Sequence, residues 1–261
     1  MKRLLMAFQF CTIIPLKDMG DVSEREMGKS TIYFPLVGCA EGIILAAAAA
    51  LFLKIFPAEV TNAFLVLLLL IINGGLHLDG LADTFDGIAS RGDRDRKLSI
   101  MKDSTVGPAG VIAIVMVLLL KYVLLNAVFL HAVISVYYVS IALMPIAARW
   151  AMVPAAFYGK SARNDGLGKT FIDHTDTREL LLSTGQTVSL ALLICGLASL
   201  YAFFAFYVMF ALPVLFMVTF GTVRFFRNHF GGMTGDSFGA LYEIGMLIFL
   251  IATVIWLQKF I

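Results

Sequence analysis

The segment HLDGLADTFDG, residues 77–87, sets Asp79, Asp83 and Asp86 four and then three positions apart, just after the apolar run FLVLLLLIING. If the helix begun by that run continues through the segment, the three carboxylates lie at about 0°, 40° and −20° around its axis, on one face. So placed they repel one another, and each costs about 2.5–3.5 kcal/mol if drawn toward the centre of a bilayer. A hard divalent cation relieves both penalties. Mg²⁺ takes carboxylate oxygens, keeps several waters and bridges to substrate phosphates. His77, beside the cluster, adds a further group able to accept a proton. The competing reading is a solvated acidic loop; the shared helical face is what favours the metal.

The next stretch, SRGDRDRKLSIMKDSTVGPAG (90–110), alternates in sign. Arg91 and Arg94 can grip phosphate oxygens with two prongs, and Lys102 adds a point charge. A cation with Arg and Lys nearby suits diphosphate chemistry, where charge must be stabilised on transferred and leaving groups alike. Arg96 and Lys97 read as ordinary loop charges. DSTVGPAG reads as a cap and turn opening a helix whose N-terminus can face an anion.

Two more loops carry similar groups. GKSARNDGLGKTFI (159–172) is glycine-rich and basic, either a binding loop or a connector, and RNHFGGMTGDSFGALYE (227–243) sets Thr234, Asp236 and Ser237 in a glycine-rich turn. Asp236 reads equally as a metal or base residue and as a helix cap. Glu41, inside FPLVGCAEGII, is an ionisable residue within an apolar segment, which makes it a functional candidate by default; a protonated or paired group near the interface is the alternative. Gly74, Gly75, Gly80 and Gly87 imply close approach of backbone or ligand, or else loosened helix packing. No GxGxxG or Walker pattern occurs, which argues against soluble-type nucleotide binding.

The elements that must position these groups are membrane helices. Of 261 residues 60% are apolar and 15% charged, and the mean hydropathy is +0.89. Soluble domains average nearer 45–50% apolar and about 25% charged, so much of this surface faces hydrocarbon. A span needs about 20 apolar residues. The candidates are 33–56, 60–75, 108–127, 131–157, 186–202, 204–222 and 239–258, with breaks expected near 126–131 and 201–204. Seven helices are the expected count, with six as the alternative. The fold class is thus an all-α polytopic bundle forming one domain, residues 1–261.

With seven spans, the N-terminal segment and loops 76–107, 158–185 and 223–238 share one side. They carry most of the basic residues, from Lys2, Arg3 and Lys17 through Arg91, Arg94 and Lys102 to Lys160, Arg163, Arg224 and Arg227. That bias marks the cytoplasmic side of a cell membrane and brings the polar loops into one site. Lys2 and Arg3 ahead of LLMAFQFCTIIP imitate a signal peptide, but no small-residue cleavage site follows, so the segment reads as a retained interfacial piece. A net charge of +2 without blocks of like charge argues against nucleic-acid partners. Cys11, Cys39 and Cys195 are far apart in apolar surroundings and read as buried fillers. A homo-oligomer is compatible with this pattern.

GGLHLDGLADTFDG (74–87), SRGDRDRKLSIMKDSTVGPAG and FGGMTGDSFGALYE (230–243), with FPLVG upstream and DGLGKTFI in the central loop, resemble the cobalamin synthase family, the adenosylcobinamide-GDP ribazoletransferases. The resemblance covers nearly the whole chain. It implies a Mg²⁺-dependent inner-membrane enzyme that joins adenosylcobinamide-GDP to α-ribazole or its 5′-phosphate and releases GMP. The matching residues are His77, Asp79, Asp83, Asp86, Arg91, Asp93, Arg94, Asp103, Ser104, Thr234, Gly235 and Asp236. TIIP at 12–15 stands where the family pattern has a basic residue, which puts a substrate role for that segment in doubt. A CDP-alcohol phosphotransferase would want AR after its DG step, whereas Ala82 here precedes Asp83. A prenyltransferase would show two separate Asp-rich motifs, and a cation transporter would place its acids at mid-membrane in broken helices.

Overall fold

The computed structural model describes residues 2–14 and 22–260; Pro15 and Lys17 lie outside them. Thirteen α-helices occur among the described residues. α1 is Lys2–Cys11, α2 Glu24–Gly28, α3 Phe34–Phe52, α4 Ala58–Asn73, α5 Leu76–Ala89, α6 Arg94–Ile100 and α7 Pro108–His131. α8 is Ile134–Tyr158, α9 Leu167–His174, α10 Thr177–Leu197, α11 Tyr201–Phe206, α12 Leu212–Phe230 and α13 Gly235–Phe260. A 3₁₀ turn, Lys29–Tyr33, joins α2 to α3, and a π turn, Tyr207–Ala211, joins α11 to α12.

Six helical segments are long and apolar enough to cross a membrane, and the pair α4 and α5, bent by 90°, makes a seventh when taken as one span. The molecule is a multi-pass membrane bundle. The central helix is α8, whose apolar stretch is wholly buried. α3 lies directly against it, because Gly38 and Gly42 let its backbone touch Pro145, Ile146 and Ala142. Small residues are how membrane helices gain close dispersion contact when lipid offers no hydrophobic drive.

Several expectations change, among them the break expected near 126–131, which falls at 132–133 between α7 and α8. The second span does not run straight into 77–87: Gly74 and Gly75 take left-handed φ of 60° and 74° and end α4, a conformation in which glycine has no Cβ penalty. The Asp-bearing segment is therefore its own helix, α5. The break expected near 201–204 falls at 198–200 instead, and α10 begins at Thr177 rather than near 186. There Asp176 and Glu179 form a capping box, so a polar first turn that reads as loop is helical outside the apolar zone. Finally, α7 is opened by Gly107 without any side-chain cap of its own. Asp86 of α5 supplies the carboxylate in its place, accepting the N–H groups of Gly107 at 2.7 Å and Gly110 at 2.9 Å.

One charged group ties the interior together. Arg149 of α8 is fully buried and forms an ion pair with Glu41 of α3. Its Nη2 also donates to the Cys11 carbonyl at 2.8 Å and to Asn73 Oδ1 at 2.9 Å, and Nη1 meets His77 Nε2 at 2.7 Å. The guanidinium lies 3.9 Å from the ring centre of Tyr242, whose hydroxyl donates to Glu41 at 2.8 Å. α1, α3, α4, α5, α8 and α13 thus converge on it. A second buried pair, Lys121 and Glu243, joins α7 to α13.

Removing one partner of a buried pair strands the other charge and costs about 3–5 kcal/mol, whereas replacing both by apolar groups is often close to neutral. Arg149→Met is expected to lower the thermal unfolding midpoint in mild detergent sharply. Combining it with Glu41→Leu is expected to restore part of the loss. A double variant no more stable than the single one would show that the pair does not act as a unit.

Candidate active site

The acidic site is assembled by glycine contacts between α5 and α13. A Cβ on Gly80 would meet the Asp236 carbonyl oxygen at 2.7 Å, and one on Gly239 would meet the His77 backbone at 3.1 Å. At Gly168, the start of α9, a Cβ would lie 2.6 Å from the Gly235 nitrogen. Three backbones therefore press together, and the first turn of α13 is held against the Asp face of α5 and roofed by α9. Asp83 is half-buried there, and the negative charges acting on it are Asp79, Asp236 and Asp86, opposed by Arg163.

Arg163 sits 3.2 Å from Asp236 through Nη2 and Oδ2. Its loop is fixed by backbone pairing: Ala162 donates to Met233 at 2.9 Å, and Met233 donates to Lys160 at 2.6 Å. Arg94 clamps the same loop from α6, donating to Phe230 O at 2.9 Å and Ala162 O at 2.8 Å. Arg163 Nε is buried without a hydrogen-bond partner among the described residues.

Two cavities open on either side of this ion pair. One, of about 330 Å³, has Asp79 and Asp236 on its wall with Phe10, Leu76, Met152 and Leu167. The other, of about 560 Å³, lies between α6 and the 162–165 loop and is lined by Arg94, Lys102 and Arg163.

The structure therefore brings Asp79, Asp83, Asp86 and Asp236 to one face, with Arg94 and Lys102 one cavity away. It separates the roles of the three motif aspartates. Asp79 is exposed to the smaller cavity, Asp83 faces the other acids, and Asp86 holds the start of α7. A Cβ at Gly107 or Gly110 would lie 2.5 Å from its carboxylate oxygens, so only glycine leaves room for that contact.

His77 borders the smaller cavity as well, but its Nε2 is turned to Arg149. Arginine only donates, so His77 Nε2 must accept from Arg149 and its lone pair is occupied; Nδ1 is buried with no partner among the described residues. Thr234 is buried and caps α13, its hydroxyl oxygen accepting the Ser237 N–H at 3.2 Å while its own N–H donates to Ser237 Oγ at 2.9 Å. Asp93 caps α6 through the Arg96 N–H at 2.9 Å.

Arg91, Asp103 and Ser104 lie exposed on loops flanking α6. The Thr105 hydroxyl and N–H hold the Asp103 carboxyl below the usual carboxylate range, which fits a turn residue.

Arg163 and Arg149 were not singled out by the sequence reasoning. For Arg149 the signal was present, a lone arginine in the middle of an apolar segment, with Glu41 as the matching acid. For Arg163 nothing local distinguishes it from other loop cations.

A family model described as cobalamin-5-phosphate synthase matches residues 3–254. An adenosylcobinamide-GDP ribazoletransferase of Geotalea daltonii is 35% identical over 249 residues, covering 95% of each chain. Those of Thermodesulfovibrio yellowstonii and Acetivibrio thermocellus are 33% and 35% identical, covering 95% and 96% of this chain and 94% and 96% of their own. No solved structure matches. The match along nearly all of its length leads to one assignment: the chain belongs to the cobalamin-5-phosphate synthase family.

Proposed function

We propose that this chain is a membrane transferase that moves the adenosylcobinamide-phosphate group of adenosylcobinamide-GDP onto α-ribazole or its 5′-phosphate, releasing GMP. The observation that carries the reading is the facing arrangement of Asp79, Asp83 and Asp236 with Arg163, a mixed acidic and basic seat for a diphosphate. The relatives' names supply the substrates. The basic bias of the loops at this end supports a site on the cytoplasmic side of the inner membrane.

The residues fit a magnesium ion of the kind that works with phosphates. Among the described residues no three His, Cys, Asp or Glu side chains close on a point tightly enough to enclose a metal. Mg²⁺ is commonly held by only one or two carboxylates, with waters and substrate phosphates completing its shell. Asp83 and Asp236 would hold it, and when bound it would offset the charge on the diphosphate. Asp86, whose two oxygens already accept backbone N–H groups, serves instead to fix α7.

The chain's own groups then do the following. A ribose hydroxyl of the acceptor attacks the phosphorus joined to cobinamide, a new P–O bond forms, and the bond to GMP breaks with its electron pair leaving on GMP. Asp79, on the wall of the smaller cavity, takes the hydroxyl proton. His77 positions α5 through Arg149 rather than accepting a proton itself. Arg163 stabilises the charge that develops on the phosphate oxygens, and Arg94 keeps the loop bearing it in place.

Purified protein in lipid nanodiscs is expected to release GMP only when both substrates and Mg²⁺ are present, and to stop in EDTA. Release without an acceptor would point to hydrolysis instead. Asp83→Asn is expected to remove turnover with insertion and folding intact, and full activity in that variant would remove Asp83 from the metal site. Arg163→Ala is expected to lower kcat by roughly 10²–10³-fold, the range for losing one preorganised charge-stabilising donor. A change in KM alone would make it a ground-state binding residue.

A further inference from the structure

We propose, resting on that reaction, that the cavity between α6 and the 162–165 loop is the guanosine half-site and reads the base edge with Asp95 and Asp165. Its volume of about 560 Å³ lies within the roughly 300–1,000 Å³ of small-molecule sites. Both signs of charge line it: Arg94, Lys102 and Arg163 with Asp95, Asp165 and Asn164. A site for phosphate alone would gain nothing from two carboxylates, which repel an anion.

Guanine explains that mixture. Its N1–H and 2-amino group present two donors side by side, which a carboxylate accepts as a pair, while O6 and N7 accept from Asn, Lys or Arg. The other substrate does not suit this cavity. The dimethylbenzimidazole base of α-ribazole is apolar, and burying it here would desolvate charged groups without pairing them. The smaller cavity, with Phe10, Leu76, Met152 and Leu167 beside Asp79 and Asp236, matches an apolar base carrying a ribose. A corrin exceeds both spaces.

The ion pair between Arg163 and Asp236 runs from the wall of one cavity to the wall of the other, and the diphosphate lies across it. Arg163 lines the polar cavity and pairs with Asp236 on the wall of the apolar one. With guanosine on one side and α-ribazole on the other, the acceptor hydroxyl and the departing GMP approach the phosphorus from opposite directions. That is the in-line arrangement phosphoryl transfer uses. Arg94, tied to two carbonyls, makes the wall of the polar cavity rigid.

The test separates this assignment from the reaction itself by measuring binding without turnover. Full-length protein in nanodiscs is titrated with GMP, IMP and AMP, beside the variant carrying Asp95→Asn and Asp165→Asn together. Both residues are exposed, so folding should survive, and an unchanged unfolding midpoint checks this. Wild type is expected to bind GMP roughly 10-fold or more tighter than IMP, which lacks the 2-amino group, a margin appropriate to a two-pronged contact. In the variant that preference should fall to near unity, with the KM for α-ribazole within about twofold of wild type in the GMP-release assay.

Equal binding of GMP, IMP and AMP by wild type would overturn the proposal. So would a guanine preference that survives the double substitution. Guanine-selective binding that the variant loses, in a protein that shows no transfer, would uphold the half-site and overturn the reaction.

Discussion

The buried guanidinium of Arg149 sets the terms for everything near it. A charge carried so far from water is tolerated only where donors and countercharge are complete, and this one is answered by Glu41, Asn73, His77 and the Cys11 carbonyl at once. Those partners come from α1, α3, α4 and α5. A one-turn slide of any of these helices would leave a buried N–H of Arg149 unanswered, and a slide of α3 would strand its countercharge as well, so the network favours a single register. Tyr242 brings α13 into the same arrangement by its hydroxyl and its ring face.

From that fixed interior the acidic site follows by short steps. His77 is held by Arg149, the Gly74–Gly75 bend sends α5 off at 90°, and the glycines at 80 and 239 press α5 against α13. Asp236 is thereby delivered opposite Asp83. At the far end of α5, Asp86 meets the first N–H groups of α7, where a carboxylate is favoured both by hydrogen bonding and by the helix dipole. One helix thus has its ends pinned by an arginine and by a helix N-terminus, leaving the two carboxylates between them free for chemistry.

How much of this was readable in the sequence depends on the reach of each signal. Apolar runs and the positive-inside bias are summed over many residues, so the helical class and the gathering of polar loops at one end were legible. The Asp79, Asp83 and Asp86 spacing was legible as a shared face because it lies within two turns of one helix. Their division of labour was not, since it depends on what stands across from each. Asp86 looks like its neighbours until Gly107 and Gly110 arrive from 21 and 24 residues away. The His77 lone pair is likewise claimed by a residue 72 positions distant. The bend at 74–75 was signalled by its two glycines, but the same pair also suits close helix packing, and only the left-handed φ values decide between them.

The same contrast bears on why the reacting groups sit where they do. Carboxylates crowded on one face are costly wherever no countercharge is near, and a bundle interior offers few ways to supply it. Here Arg163 comes from a loop that no apolar segment constrains, tied down by four backbone carbonyls: Phe230 and Ala162 through Arg94, Met233 through the Ala162 N–H, and Lys160 through the Met233 N–H. In the proposed reaction a side chain held by such a loop would stabilise developing charge without the reorganisation that water would require. The membrane helices hold the carboxylates, the loop holds the cation, and in the proposed reaction the diphosphate would be recognised where the two meet. A site divided in this way stays open to large substrates from the aqueous side while keeping its charged pieces in register with the buried network beneath it.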